Sequence, residues 1–133
     1  MMKLNGELTL PAVGLTGFET PLTDMEAAIQ ESVHKFAKNV LRPIGQELDK
    51  MTAEEVIAPS SPYYAVFAEA AKLGLDLDVL AELPPETAVR IESMIGEEMG
   101  WGDAGLAISL AAATFPLEMA KAVKSQELID LCT

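Results

Sequence analysis

Apolar residues recur at helical spacing along this chain, and the pattern begins at residue 23. Met25, Ile29, Val33, Phe36 and Val40 follow at steps of four, four, three and four, which places them on one face of an amphipathic helix. Thr23 and Glu26 stand just before them at the spacing of a capping box, in which each side chain satisfies one free backbone N–H. Pro43 has no N–H to donate and disfavours α geometry at Arg42, so a break or kink is predicted there. Ile44, Leu48 and Met51 resume the spacing, giving a first helix over about 24–50 with a bend, or two segments. Thr52 and Glu55 repeat the capping box, but Pro59 and Pro62 leave room for only a short turn.

Ser61-Pro62 opens the next helix, Tyr63 to Leu73, since proline suits the first helical position. Tyr64, Phe67, Ala68 and Ala71 are its expected inward face, and Gly74 its C-terminal cap. The stretch LDLDVLAEL reads equally as loop, turn or a short extended piece. Pro84 and Pro85 start a helix near 85–99 with Ala88, Ile91, Ile95 and Met99 inward and Gly100 ending it. Asp103 caps a fourth helix, Ala104 to about Phe115, whose near-continuous apolar surface predicts burial on several sides. Pro116 is expected to begin another short helix with Leu117, Ala120 and Val123, and Ser125 a last one over Gln126 to Leu131. Residues 1–21, interrupted by Gly6, Pro11, Gly14, Gly17 and Pro21, read as an irregular arm whose Leu8, Leu10 and Val13 pack locally. No strand or internal repeat is evident. The predicted fold is all-α, a five- or six-helix bundle over residues 22–133.

Length and composition narrow the function. The 133 residues suit one domain, and half of them are apolar, ample for a core and against disorder. Nine basic against 21 acidic residues leave a net charge of −12, which argues against nucleic acid as a partner. The longest uncharged stretch, Ala104 to Leu117, is shorter than the roughly 20 residues of a spanning helix, so no membrane span is expected. The N-terminus lacks the apolar run of a signal peptide. The one cysteine, Cys132, fits a cytoplasmic location. An apolar chain this acidic also raises a second reading, in which it exposes a face that another domain or subunit covers.

Catalytic parts are few. His34 is the only histidine and follows an inward position on a charged helix, which favours a surface role. One His and one distant Cys exclude a nucleophile pair, a zinc site or a di-iron bundle, which needs two Glu-x-x-His motifs. The acidic pairs Glu54–Glu55, Asp76–Asp78 and Glu97–Glu98 read as solvated faces. Gly100-Trp101-Gly102 follows no strand and precedes no Lys-Ser/Thr, so it meets neither phosphate-binding fingerprint. A helix–loop–helix corner plugged by Trp101 is favoured there over cofactor contact. Ala107, Ser109, Ala111, Ala112, Ala113 and Thr114 leave space beside the fourth helix; close packing is favoured over a slot for an apolar chain.

Taken in order, these segments resemble one family. LTDMEAAIQESVHKFAKNVLRPIGQELD is similar to the opening helix of the acyl-CoA dehydrogenases, with Leu22, Thr23, Asp24, Phe36, Pro43 and Asp49 at the matching points. AEAAKLGLDLD resembles the family's Leu-Gly-Leu step, IESMIGEEMGWGDAGLAISLAAATFP its next two helices, and SQELIDLC the helix leading to its middle domain. The resemblance spans about residues 20–133. LAELPPET replaces the Pro-Glu-x-x-Gly-Gly-x-Gly loop expected after Leu75, which removes support for any substrate or flavin contact made by that loop. The family's β-domain, with its Thr-Glu-Pro-x-x-Gly-Ser-Asp stretch, and the later domain with the catalytic glutamate have no counterpart here.

The resemblance therefore implies an N-terminal helical domain of an FAD-dependent enzyme that desaturates acyl-CoA thioesters. It implies no catalytic, flavin-binding or metal residue in this chain, and no FAD bound to the chain alone. By position it assigns Leu110, Ala113 and Thr114 to the acyl pocket, with Phe115 closing the floor. Expected partners are acyl-CoA through the complete enzyme, the domains absent here, and a second copy. Two rival expectations stand beside it: a naturally short subunit docking on a separate flavin-binding protein, and an unrelated helical interaction module.

Overall fold

The computed structural model describes residues 21–74, 80 and 82–132. The expected arm therefore lies almost wholly outside the described residues, as does most of LDLDVLAEL. The described residues are mostly helical, with no strand among them. In chain order they form α1 (Asp24–Phe36), a π turn (Ala37–Leu41), α2 (Arg42–Leu48), α3 (Ala53–Val56), α4 (Tyr63–Ala71), α5 (Pro85–Gly102), α6 (Ala104–Ala122) and α7 (Gln126–Cys132). Because α1, the π turn and α2 run on as one rod, these amount to six helices.

Both capping boxes form as the sequence predicts. Thr23 accepts from the N–H of Glu26, whose carboxylate accepts from the N–H of Thr23 at 2.7 Å; Thr52 and Glu55 repeat the arrangement. Pro43 does not break the rod. The turn ahead of it widens instead, and the Arg42 N–H reaches the carbonyl of Ala37, five residues back. A turn that takes in one extra residue absorbs the missing donor and the clash of the proline ring with the carbonyl four residues before it.

That extra residue also builds the core. In an unbroken α-helix Leu41 lies about 140° round from Phe36. The π turn brings it back toward Phe36 and Ala37, and the three are buried together with Val66 of α4 and Leu106 of α6. Farther along, Val33 of α1 and Ile91 and Met94 of α5 are buried where α1 lies along α5. Two glycines allow a further close approach: Gly45 of α2 lies against the Asp103 side chain, and Gly102 at the end of α5 lies against Ala37.

Several expectations are corrected. Gly100 does not end α5; the helix continues to Gly102, and the Asp103 N–H still bonds to the Met99 carbonyl at 3.0 Å. Trp101 therefore sits in the last helical turn, not at a loop corner. The buried side of α4 is turned from the expected one. Tyr64, Ala68 and Ala71 are exposed, while Val66 is buried and Tyr63 and Ala70 pack on the core. The Tyr64 hydroxyl donates to the Ile57 carbonyl at 3.0 Å, which holds it on the outer side. Pro116 begins no new helix but lies inside α6. The carbonyl it cannot satisfy is that of Ala112, an exposed residue whose backbone water can reach. Asp103 does cap α6, its carboxylate accepting from the Leu106 N–H at 2.8 Å.

α6 is buried on one side only. Ile108, Phe115 and Met119 are 61–70% exposed and share its outer face. At its C-terminal end the Ser125 N–H bonds to the Ala120 carbonyl and the Lys124 N–H to that of Lys121, the two bonds of a Schellman motif. Lys124 takes the left-handed position, φ 53°, that glycine usually fills. A left-handed conformation costs a side-chain-bearing residue about 1–2 kcal/mol. Lys124→Gly is expected to recover about 0.5–1 kcal/mol of that, measured by urea unfolding, because glycine also loses more chain entropy on folding.

Candidate functional site

Two polar clusters tie α1 to α5, one at each end of their contact. The first begins at the capping box. One carboxylate oxygen of Glu26 takes the N–H and the hydroxyl of Thr23 at 2.7 and 2.9 Å, and the other faces the Arg90 Nε at 3.4 Å. Arg90 also reaches the Pro21 carbonyl at 3.5 Å. Glu26 is 97% buried, so its charge is tolerated only because each oxygen is paired. The hydrogen bonds from Thr23, first backbone and then hydroxyl, and the nearby Arg90 charge hold its carboxyl below the usual carboxylate range against the opposing effect of burial.

A folded-state value below the unfolded one means that this group stabilises the fold above the ordinary carboxylate range. The contribution is lost as pH falls through the lowered value. Glu26→Gln is therefore expected to lower the thermal midpoint at neutral pH and to flatten its fall in acid. The two proteins should converge once the parent's Glu26 carboxyl is protonated, a comparison made by thermal melts across an acid titration.

The second cluster lies at the other end. The His34 Nδ1 of α1 stands 2.7 Å from Glu98 Oε2 of α5, and Gln30, one turn before His34, donates to Glu98 Oε1 at 3.0 Å. The His34 ring lies against the Trp101 indole, with centroids 4.8 Å apart, and the Arg42 guanidinium carbon sits 4.2 Å from the same ring's centroid. His34 and Arg42 are eight residues apart, about 80° round an unbroken α-helix. The extra residue of the π turn reduces that to about 20°, so both reach one indole. His34 is thus neither a free surface residue nor a core one: its side chain is 43% exposed and that of Glu98 18%. The sequence reading missed this cluster. Its spacing was visible, Gln30 and His34 on one helix face, Glu98 and Trp101 on another, but not their meeting.

The four residues assigned to an acyl pocket fall into two groups. Leu110 packs on the core, and Ala113 and Thr114 lie on the same broad side of α6 as Leu106 and Leu110. Ala113 is exposed there and Thr114 half-buried, its hydroxyl donating to the Ala111 carbonyl at 2.8 Å. Phe115 lies about 100–160° round the helix from the other three, among the exposed residues of the outer face. None of the four lines the grooves beside the two polar clusters.

Among the described residues no group of three or more His, Cys, Asp or Glu side chains is placed to hold a metal ion. No helix among them is long and apolar enough to cross a membrane. Set against protein-family models, curated proteins and solved structures, the chain matches none of them.

Proposed function

We propose that this chain is the N-terminal helical layer of an acyl-CoA dehydrogenase-like flavoenzyme, contributing packing surface and one side of the acyl pocket. The observation that carries the reading is the ordered succession of family-like segments over residues 20–133, from LTDMEAAIQ to SQELIDLC. The all-helical architecture agrees with it. So does the uncovered face of α6, where Ile108, Phe115 and Met119 give an apolar strip of the kind that a further domain or subunit buries.

In this reading the groups that would perform the desaturation belong to other parts of the enzyme. FAD supplies the redox chemistry. The residues here shape the space for the thioester's apolar chain: Leu110 fixed in the core, and Ala113 and Thr114 small enough to leave room beside α6.

The test uses the flavoprotein that contains this chain, as a longer polypeptide or with its docking subunit. Under anaerobic conditions acyl-CoA is expected to bleach the flavin absorbance, with release of the 2-enoyl thioester. A flavin-free assembly, or one that acyl-CoA does not reduce, overturns the reading. Ala113→Leu in the same assembly is expected to cut kcat/KM for the longest accepted acyl chain by at least about tenfold, the lower end of what one methylene is worth in an apolar pocket. Short chains should be little affected. An unchanged chain-length preference removes Ala113 from the pocket and leaves the family reading to the flavin assay.

A further inference from the structure

The groove beside the second cluster is lined by His34, Glu97, Glu98 and Trp101, encloses about 350 Å³ and opens to solvent. Its polar groups are nearly all acceptors. An ionised carboxylate has no hydrogen to give, so the contact with Glu98 places the hydrogen of a neutral His34 on Nδ1 and leaves Nε2 with a lone pair. Both Glu98 oxygens are engaged, by His34 and by Gln30. Glu97 is exposed and makes no hydrogen bond or ion pair among the described residues. The indole adds an electron-rich surface, 44% exposed, which already accepts one guanidinium, that of Arg42.

A groove of acceptors is complementary to a group that only donates. Among side chains of permanent charge two qualify, the ammonium of lysine and the guanidinium of arginine. The guanidinium fits better, because it is flat enough to lie on an indole and presents its N–H groups as a fork. The net charge of −12 draws basic partners toward the chain as a whole.

We propose that this groove binds an arginine side chain of a basic peptide or protein partner, the fork bonded to Glu97 and to Nε2 of His34 and the plane against the exposed part of Trp101. Apart from Glu97 the site is set before binding: Gln30 bonds to Glu98 and Glu98 to the imidazole, and the π turn keeps Arg42 and His34 on one indole. Pre-set side chains lose little freedom on binding, which is what a single-residue contact requires. This inference is independent of the acyl-CoA reading.

Trp101 is the only tryptophan, so its fluorescence reports on this groove alone. The full chain is titrated with a short capped peptide carrying one central arginine, and with the same peptide carrying lysine or citrulline. A saturable change in Trp101 emission is expected with arginine, a several-fold weaker one with lysine and none with the uncharged citrulline. Glu97→Gln, on the exposed side of α5, is expected to weaken the arginine response about fivefold, the upper range for a solvent-exposed ion pair. Its helix content by circular dichroism should match the parent. No saturable response to the arginine peptide at millimolar concentration overturns the proposal. So does an equal response to citrulline, or an unchanged one in Glu97→Gln.

Discussion

Gly102→Val is expected to destabilise the fold by about 3 kcal/mol, at the top of the range for overpacking a tight core site. Gly102 is buried at the end of α5, and a Cβ built on it would stand 2.8 Å from the Cβ of Ala37 and 3.0 Å from that residue's Cα and carbonyl oxygen. Two of those three atoms are backbone, in the π turn, and cannot rotate away. Helix propensity pulls the other way, since replacing a helical glycine by alanine ordinarily gains about 0.5–1 kcal/mol, and by valine less. Gly96 in the same helix isolates that gain, because a Cβ there meets nothing within 4 Å. Urea unfolding should therefore show Gly96→Ala more stable than the parent and Gly102→Val far less. A tolerated Gly102→Val would mean that α5 and the π turn are not in contact.

Gly45 makes the matching approach on the other side of this crossing. A side chain there would fall on the Asp103 carboxylate, the same group that caps α6. The two glycines thus set how closely the α1–α2 rod lies to the α5–α6 corner. That spacing decides whether Trp101 reaches His34 and Arg42.

How much of this was legible in the sequence depends on whether the cause was local. Capping boxes at Thr23 and Thr52 are decided by residues three apart, and both formed as read. The cap at Asp103 and the left-handed Gly74, φ 61°, are local in the same sense. Pro116 was misjudged, and the irregularity expected at Pro43 takes the form of a π turn, because the consequence of a proline depends on its surroundings. At Pro43 a widened turn absorbs the defect, and at Pro116 the orphaned carbonyl faces water.

The polar cluster was illegible for a different reason. Nothing within α1 or within α5 says that Glu98 will lie opposite His34, because their register follows from the Gly102–Ala37 approach and the π turn. Glycine at 102 reads as a helix end in sequence, yet it serves as a point of close packing. The acyl-pocket assignment, by contrast, came only from the resemblance. The geometry separates Phe115 from Leu110, Ala113 and Thr114, so any pocket that uses all four needs a second wall from outside α6.

Leu41→Ala is the second large effect expected, a loss of about 3–4 kcal/mol, within the range for truncating a fully buried leucine. Leu41 has no exposed surface and stands where the π turn, α4 and α6 converge, among Phe36, Ala37, Val66 and Leu106. Few of these neighbours can close the gap, because Phe36, Ala37 and Leu41 belong to one stiff rod and Val66 is branched. Ile108→Ala serves as the reference: a residue of similar size, 70% exposed on the outer face of α6, whose truncation should cost well under 1 kcal/mol in the isolated chain. The pair separates two kinds of apolar residue that look alike in the sequence. A large loss at Leu41 with almost none at Ile108, both read from urea unfolding, would place the core on the π-turn side of α6. It would leave the opposite face contributing nothing to the stability of the chain by itself. Comparable losses at both positions would mean that Ile108 is already covered in solution, and self-association would then be read from sedimentation of the same samples.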